Sequence, residues 1–300
     1  MVWLTKLLIT MLCALLGVAF LTLMERKVLS YMQNRKGPNK VGMGGFLQPI
    51  SDAFKLFLKE FVTPNTSNKK LYMFCPIMSL GLGLCFWGML PSTYMIKMQD
   101  LTLLFFFSIS ALNVYVVLAA GWSSNSIYAF LGGLRGSAQT ISYEVSLIFL
   151  LLFPMMMVNS LLLYSPLFGY PCVFLASISL LLWFVSSLAE TNRAPFDFAE
   201  GESELVSGFN IEYGGGIFAL LFLGEYTMIL FMSMVTCLCF MSPHSVLMLS
   251  SGSLLVAFSF LFIRGVFPRL RYDKLMTLCW KSILPLGIGL LCLYNLSCWL

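Results

Sequence analysis

Charge is what this chain has least of. Only 10% of its 300 residues are Asp, Glu, Lys or Arg, against about a quarter in soluble domains, and that scarcity excludes an ordinary water-soluble fold. Histidine is represented once, at position 244, and the nine cysteines (13, 75, 85, 172, 237, 239, 279, 292 and 298) include no Cys-x-x-Cys pair. Zinc, iron–sulfur and haem sites need clustered thiolates or imidazoles. The cysteines are therefore expected to be small apolar packing residues, and no metal is expected. The segment NRKGPNKVGMGG, 34–45, has the Gly/Pro punctuation of a turn but lacks a terminal Gly-Lys-Ser/Thr and a strand-turn-helix setting, which argues against a phosphate loop. No nucleic-acid partner is expected.

What the chain does have is apolar surface. It is 59% hydrophobic and 15% aromatic, with a mean hydropathy of +0.88, the composition of a polytopic membrane protein. Eight stretches, about 2–24, 70–91, 101–121, 139–158, 171–190, 214–240, 246–264 and 281–299, are long enough as helices to cross roughly 30 Å of hydrocarbon. The expected fold is all-α: one membrane domain over 1–300, with no internal repeat or linker. The first stretch lacks a small-residue cleavage site and is expected to be retained. Between spans one and two, Phe46, Ile50, Ala53, Phe54, Phe57, Leu58 and Phe61 recur at helical spacing, with Asp52, Lys55 and Lys59 on the other side. That pattern predicts an amphipathic helix over 46–61, lying in the membrane plane or against protein, where it can floor an entrance for a lipid-soluble molecule. With this division, sixteen of the eighteen Lys and Arg fall on one side and only Lys6 and Lys97 on the other. The basic side is then the cytoplasm or mitochondrial matrix, and both termini face away from it. Glu25, Arg26 and Lys27 are expected to snorkel to phospholipid headgroups at the end of span one.

The acidic residues are not spread evenly. AETNRAPFDFAEGESELVSGFNIEY, 189–213, holds six of the thirteen carboxylates, threaded with Phe196, Phe198, Leu205, Val206, Phe209, Ile211 and Tyr213. Pro195 suits the first turn of a helix, with Asp197 complementing its dipole. On such a helix Asp197, Glu200 and Glu204 share one face and Glu202 points elsewhere. Arg193 is placed to neutralise one member. Glu144 and Glu225 lie inside apolar stretches, and intramembrane carboxylates are functional candidates by default. Crowded, partly desolvated carboxylates cannot all ionise, which is the physical signature of a proton relay.

Four blocks carry a resemblance: ERKVLSYMQNRKGPNKVG, GWSSNSIYAFLGGLRGSAQTISYE, the acidic segment quoted above, and PRLRYDKLM. Together they resemble the first-membrane-subunit family of NADH:ubiquinone oxidoreductase, respiratory complex I, in its mitochondrially encoded form. The likeness runs through nearly the whole chain and is densest in the loops of the basic side. It implies eight spans in the mitochondrial inner membrane, with termini toward the intermembrane space and large loops toward the matrix. It implies a ubiquinone-access chamber shared with two hydrophilic partner subunits, beside neighbouring antiporter-like and small membrane subunits. No cofactor is then expected in this chain. Ubiquinone is the substrate, and FMN and the iron–sulfur clusters belong to partner subunits. Carried over residue by residue, Glu144, Glu190, Asp197, Glu200, Glu202, Glu204 and Glu225 match the family's carboxylate path. Arg26, Arg35 and Phe222, with Arg269 and Arg271 in PRLRYD, match its quinone channel.

Two other functions remain open on the residues. A stand-alone ion-coupled transporter can use the same carboxylates, although the related halves and matching broken spans common in transporters are not visible. A purely structural anchor for soluble subunits accounts for the first loop and leaves Glu144 and Glu225 unexplained.

Overall fold

A backbone in hydrocarbon has no water to satisfy its N–H and C=O groups, so apolar runs of this length close their hydrogen bonds within themselves as helices. The computed structural model describes residues 2–90, 101–163, 165–168, 173, 176–199 and 208–299, and among them there is helix and no strand. The helices are α1 (Val2–Met32), α2 (Gln48–Leu58), α3 (Lys69–Trp87), α4 (Thr102–Ser123), α5 (Ile127–Val158), α6 (Ser177–Glu190), α7 (Gly215–Thr236), α8 (Val246–Val266), α9 (Tyr272–Leu278) and α10 (Leu284–Trp299). Short π segments, Cys237–Met241 and Cys279–Ile283, continue α7 and join α9 to α10.

Seven helices among the described residues are long and apolar enough to cross a membrane. The difference from the expected eight lies in the fifth stretch. There the described helix is α6, only 14 residues, or about 21 Å at 1.5 Å per residue. Upstream, Pro166 sits in the 3-10 turn Ser165–Phe168, where a proline opposes extension of a helix. Two other boundaries move. The helix around Glu144 begins at Ile127 rather than 139, placing that carboxylate near its middle. The first helix runs on to Met32, carrying Glu25 inside it.

Packing is set by small residues, because lipid offers no hydrophobic drive to bring helices together. A Cβ on Gly83 would lie 2.2 Å from Thr227 Oγ1, and one on Gly224 would lie 3.0 Å from the Ser79 backbone, so α3 and α7 touch nearly backbone to backbone. The same closeness joins α4 to α5, where Gly121 faces Ala129 and Gly133. Above these contacts Phe86, Phe106 and Phe231 fill the centre, with ring centroids 4.9 to 5.8 Å apart. Helix α2 packs against α1 and α7, yet its Ile50, Phe54, Phe57 and Leu58 remain exposed on the isolated chain.

Candidate functional site

Three helix faces converge on one cavity. On α1, Val18, Thr22, Glu25 and Leu29 fall three and four residues apart and so share a side. Pro49, Asp52 and Leu56 of α2 and Phe218, Phe222 and Tyr226 of α7 do likewise. Together with Arg26 and with Arg264 from the end of α8 they line a cavity of about 500 Å³. Its walls are mostly apolar, and its polar groups form two clusters. In the first, Arg26 Nη1 donates to Asp52 Oδ2 at 2.5 Å, and Gln48 Nε2 donates to Asp52 Oδ1 at 3.0 Å.

The second cluster is centred on the buried Glu25 and Arg193, with Tyr226, Glu225 and Arg264 half-buried around them. Tyr226 Oη donates to Glu25 Oε2 at 2.5 Å, and Arg264 pairs with Glu25 Oε1. Arg193, from the turn after α6, lies 4.0 Å from Glu25 and 3.7 Å from Glu225 Oε2, with its guanidinium 4.2 Å above the Tyr226 ring. Two carboxylates and two guanidiniums thus balance in charge. Ions taken out of water are tolerated only when so paired and hydrogen-bonded. Glu25 therefore does not snorkel to headgroups: it is 5% exposed and holds its partners inside the protein.

Beyond Arg193 the line of acids continues. Glu190 and Glu225 line a chamber of about 30 Å³ with Asn113, Asn192 and Ser79, large enough to hold water. Glu190 Oε2 is buried there and has no hydrogen-bond partner among the described residues. Glu144, near the middle of α5, accepts at Oε1 from Ser110 Oγ at 3.1 Å.

Residues 191–199 form turns rather than the start of a helix at Pro195. The Ala194–Pro195 peptide is cis, and Asp197 faces Arg269 at 3.7 Å. Arg269 also lies over Phe198, at 5.8 Å, and Leu270 N donates to Pro195 O at 3.1 Å, tying this segment to the turn after α8. Its far end is pinned by Tyr213, stacked on Tyr72 with centroids 4.3 Å apart and hydrogen-bonded to Ser123 Oγ at 3.1 Å. Burial pushes the Tyr213 phenol far above its ordinary range, so it stays a neutral hydroxyl.

Of the site residues expected from sequence, Arg26 and Phe222 meet in the large cavity, and Glu190 and Glu225 in the small chamber. Arg35 is exposed beyond the end of α1, and Arg271 pairs with Asp273 at 3.0 Å on the surface. Glu200, Glu202 and Glu204 lie outside the described residues. Among the described residues no three His, Cys, Asp or Glu side chains converge to hold a metal ion.

The family model described as NADH dehydrogenase matches residues 5–295. The chain belongs to the NADH dehydrogenase family. It is similar to the NADH-ubiquinone oxidoreductase chain 1 of Aedes aegypti, at 53% identity over 293 residues, 95% of this chain and 92% of that one. The protein of that name from Lampetra fluviatilis is 49% identical over 303 residues, with 97% and 94% covered. That from Balaenoptera physalus is 48% identical over 294 residues, with 94% and 92% covered.

For this NADH dehydrogenase family member, reading the residues alone missed Glu25, Tyr226 and Arg264 as site residues. A signal for two of them was present. Glu25 follows Val18 and Thr22 on one helical face, and Arg264 closes an otherwise uncharged span. Tyr226 carried none, since a tyrosine in an aromatic-rich helix is ordinary.

Proposed function

We propose that this chain is a membrane subunit of a proton-translocating NADH:ubiquinone oxidoreductase, in which it forms the ubiquinone-access chamber and a carboxylate path linking quinone reduction to proton movement. The single observation that carries this reading is the row of paired charges that runs between the two cavities. The wall of the 500 Å³ cavity ends at Glu25 and Arg264, and Arg193 leads from there to Glu225 and the chamber holding Glu190. Apolar walls suit an isoprenoid tail, and a few fixed charges orient a polar head. Guanidiniums also stabilise reduced, anionic quinone forms.

The remaining parts follow from this reading. The electrons come from FMN and iron–sulfur clusters in partner subunits, and this chain supplies the apolar channel and the titratable groups. Two hydrophilic subunits close the chamber from the basic side, and further membrane subunits continue the path. The complex sits in the mitochondrial inner membrane. When quinone is reduced, its demand for protons changes the charge on the acids nearest Arg193. That guanidinium then favours whichever of Glu25 and Glu225 remains ionised, which biases occupancy at Glu190 and Glu144. Asp197, Glu200, Glu202 and Glu204 take part as the acidic loop of the same path, while Arg35, Arg269 and Arg271 form its basic border toward the partner subunits.

The test is photolabelling of the purified complex with an azido-quinone. Label on the α1, α2 and α7 peptides around Arg26, Asp52 and Phe222, removed by excess quinone, is the expected result. Label confined to other subunits overturns the reading.

A further inference from the structure

Gln139 lies on α5 with none of its surface exposed. Its Nε2 donates to two main-chain carbonyls, Ala189 O at 2.9 Å and Phe196 O at 2.8 Å. Each carbonyl belongs to the residue immediately before an acid: Ala189 precedes Glu190, and Phe196 precedes Asp197. The two N–H bonds of a primary amide diverge in one plane, so a single NH2 group ties two acceptors at a set separation. The amide's orientation is determined by those acceptors, because turning it over would set Oε1 against two carbonyl oxygens. Oε1 itself is buried and has no hydrogen-bond partner among the described residues. The side chain therefore acts through its donors alone.

The segment it grips has little regular structure of its own. Residues 191–199 are turns, held locally by bonds such as Phe196 N to Arg193 O at 2.8 Å. Ties from outside the segment set where its acids sit. Among the described residues these include Leu270 N on Pro195 O and Phe209 N on Ala199 O, Arg269 against Asp197, and the Gln139 amide, which joins the last turn of α6 to Phe196. Helix α5 also carries Glu144, five residues beyond Gln139. One rigid element thus holds Glu144 directly and Glu190 through the clamp.

We propose that Gln139 is a positioning residue of the carboxylate path, fixing the separation of Glu190 from Asp197 and the register of Glu190 against Glu144. This rests on the reading that those carboxylates carry protons. Proton transfer between such groups needs hydrogen-bond reach or one intervening water, and a misplacement of about 1 Å lowers a rate by up to about a hundredfold.

The experiment uses the assembled complex of a tractable counterpart, carrying Gln139→Leu, which keeps the bulk and removes both donors, beside Glu190→Gln. Backbone hydrogen exchange over 190–198 is expected to rise about tenfold in Gln139→Leu. Its kcat is expected to fall about tenfold, with the quinone KM within about twofold of wild type. Unchanged exchange overturns the clamp. Raised exchange with wild-type kcat reduces Gln139 to a structural cap and overturns the positioning role. A fully active Glu190→Gln variant overturns the carboxylate reading and the positioning role with it. An inactive Glu190→Gln beside full Gln139→Leu turnover overturns the positioning role alone. Where Gln139→Leu does not assemble, Gln139→Asn, one methylene short of both carbonyls, replaces it. The same two changes are then expected at smaller amplitude, and wild-type values of both overturn the proposal.

Discussion

Arg193 is one side chain whose neighbours among the described residues include Glu25, Glu225 and the face of Tyr226. Its exposure of 9% and that of Glu25, 5%, make their attraction strong and its loss severe, since a buried charge deprived of its partner keeps the full desolvation cost. Arg193→Met is therefore expected to destabilise the subunit by about 3 kcal/mol, read as a lowered melting temperature of the detergent-solubilised complex or reduced assembly on native gels. Arg271→Met removes an equally formal ion pair, but one whose partners are 77% and 70% exposed on the isolated chain, and loss of that pair with Asp273 by itself is expected to add no measurable shift. From sequence, Arg193 was legible as a neutraliser of some acid. The identity of that acid was not, because Glu25 lies at the other end of the chain and Glu225 a helix away.

Among the elements, α5 carries Glu144 and grips the acidic segment through Gln139, and its glycines allow that close approach. A Cβ on Gly132 would lie 2.8 Å from Gly208 Cα and from Phe209 N. The obstacle is backbone rather than the movable end of a side chain. Gly132→Ala is expected to push α5 from the 208–210 turn and to cost about 1–3 kcal/mol. Gly81→Ala on α3, which meets nothing within 4 Å, is expected to be neutral or to stabilise by about 0.5–1 kcal/mol. Melting temperatures of the two variants side by side check both. These glycines also explain why the expected span began too late. Gly132, Gly133 and Gly136 dilute hydrophobicity and resemble a loop, while in the fold they are the places where helices and turns come closest. The amphipathic helix was legible with its charged face, and α2 forms within the expected 46–61. That its inner face completes a cavity with α1 and α7 required knowing where those helices stand.

For the whole molecule the open quantity is the number of crossings. Val173 N donates to Phe240 O, in the π segment that continues α7, at 3.0 Å, while Arg193 reaches Glu225. Residues 173 and 193 thus lie beside Phe240 and Glu225, about 22 Å apart along that helix at 1.5 Å per residue, and on this ground we propose that α6 with its lead-in is a crossing. An even number of crossings puts both termini on one side, away from the basic loops. Epitope tags at the two ends, probed with antibody on sealed inside-out and right-side-out vesicles, are expected to become accessible together. Accessibility on opposite sides would mean that α6 does not cross.

What the sequence determined by itself is everything that depends on transfer between water and hydrocarbon: an all-helical chain, the approximate course of its apolar stretches, the asymmetry of its cations and the crowding of acids between α6 and α7. These are properties of composition and period, and they are present in the order of residues before any contact is made. The pairing of Glu25 with Arg264 and Arg193, the closing of one cavity by three helices, and the reach of a single amide to two carbonyls were decided only by tertiary structure. Each depends on distances of a few ångströms between residues far apart in the chain, and those distances are set by how closely the glycine-lined helix faces approach.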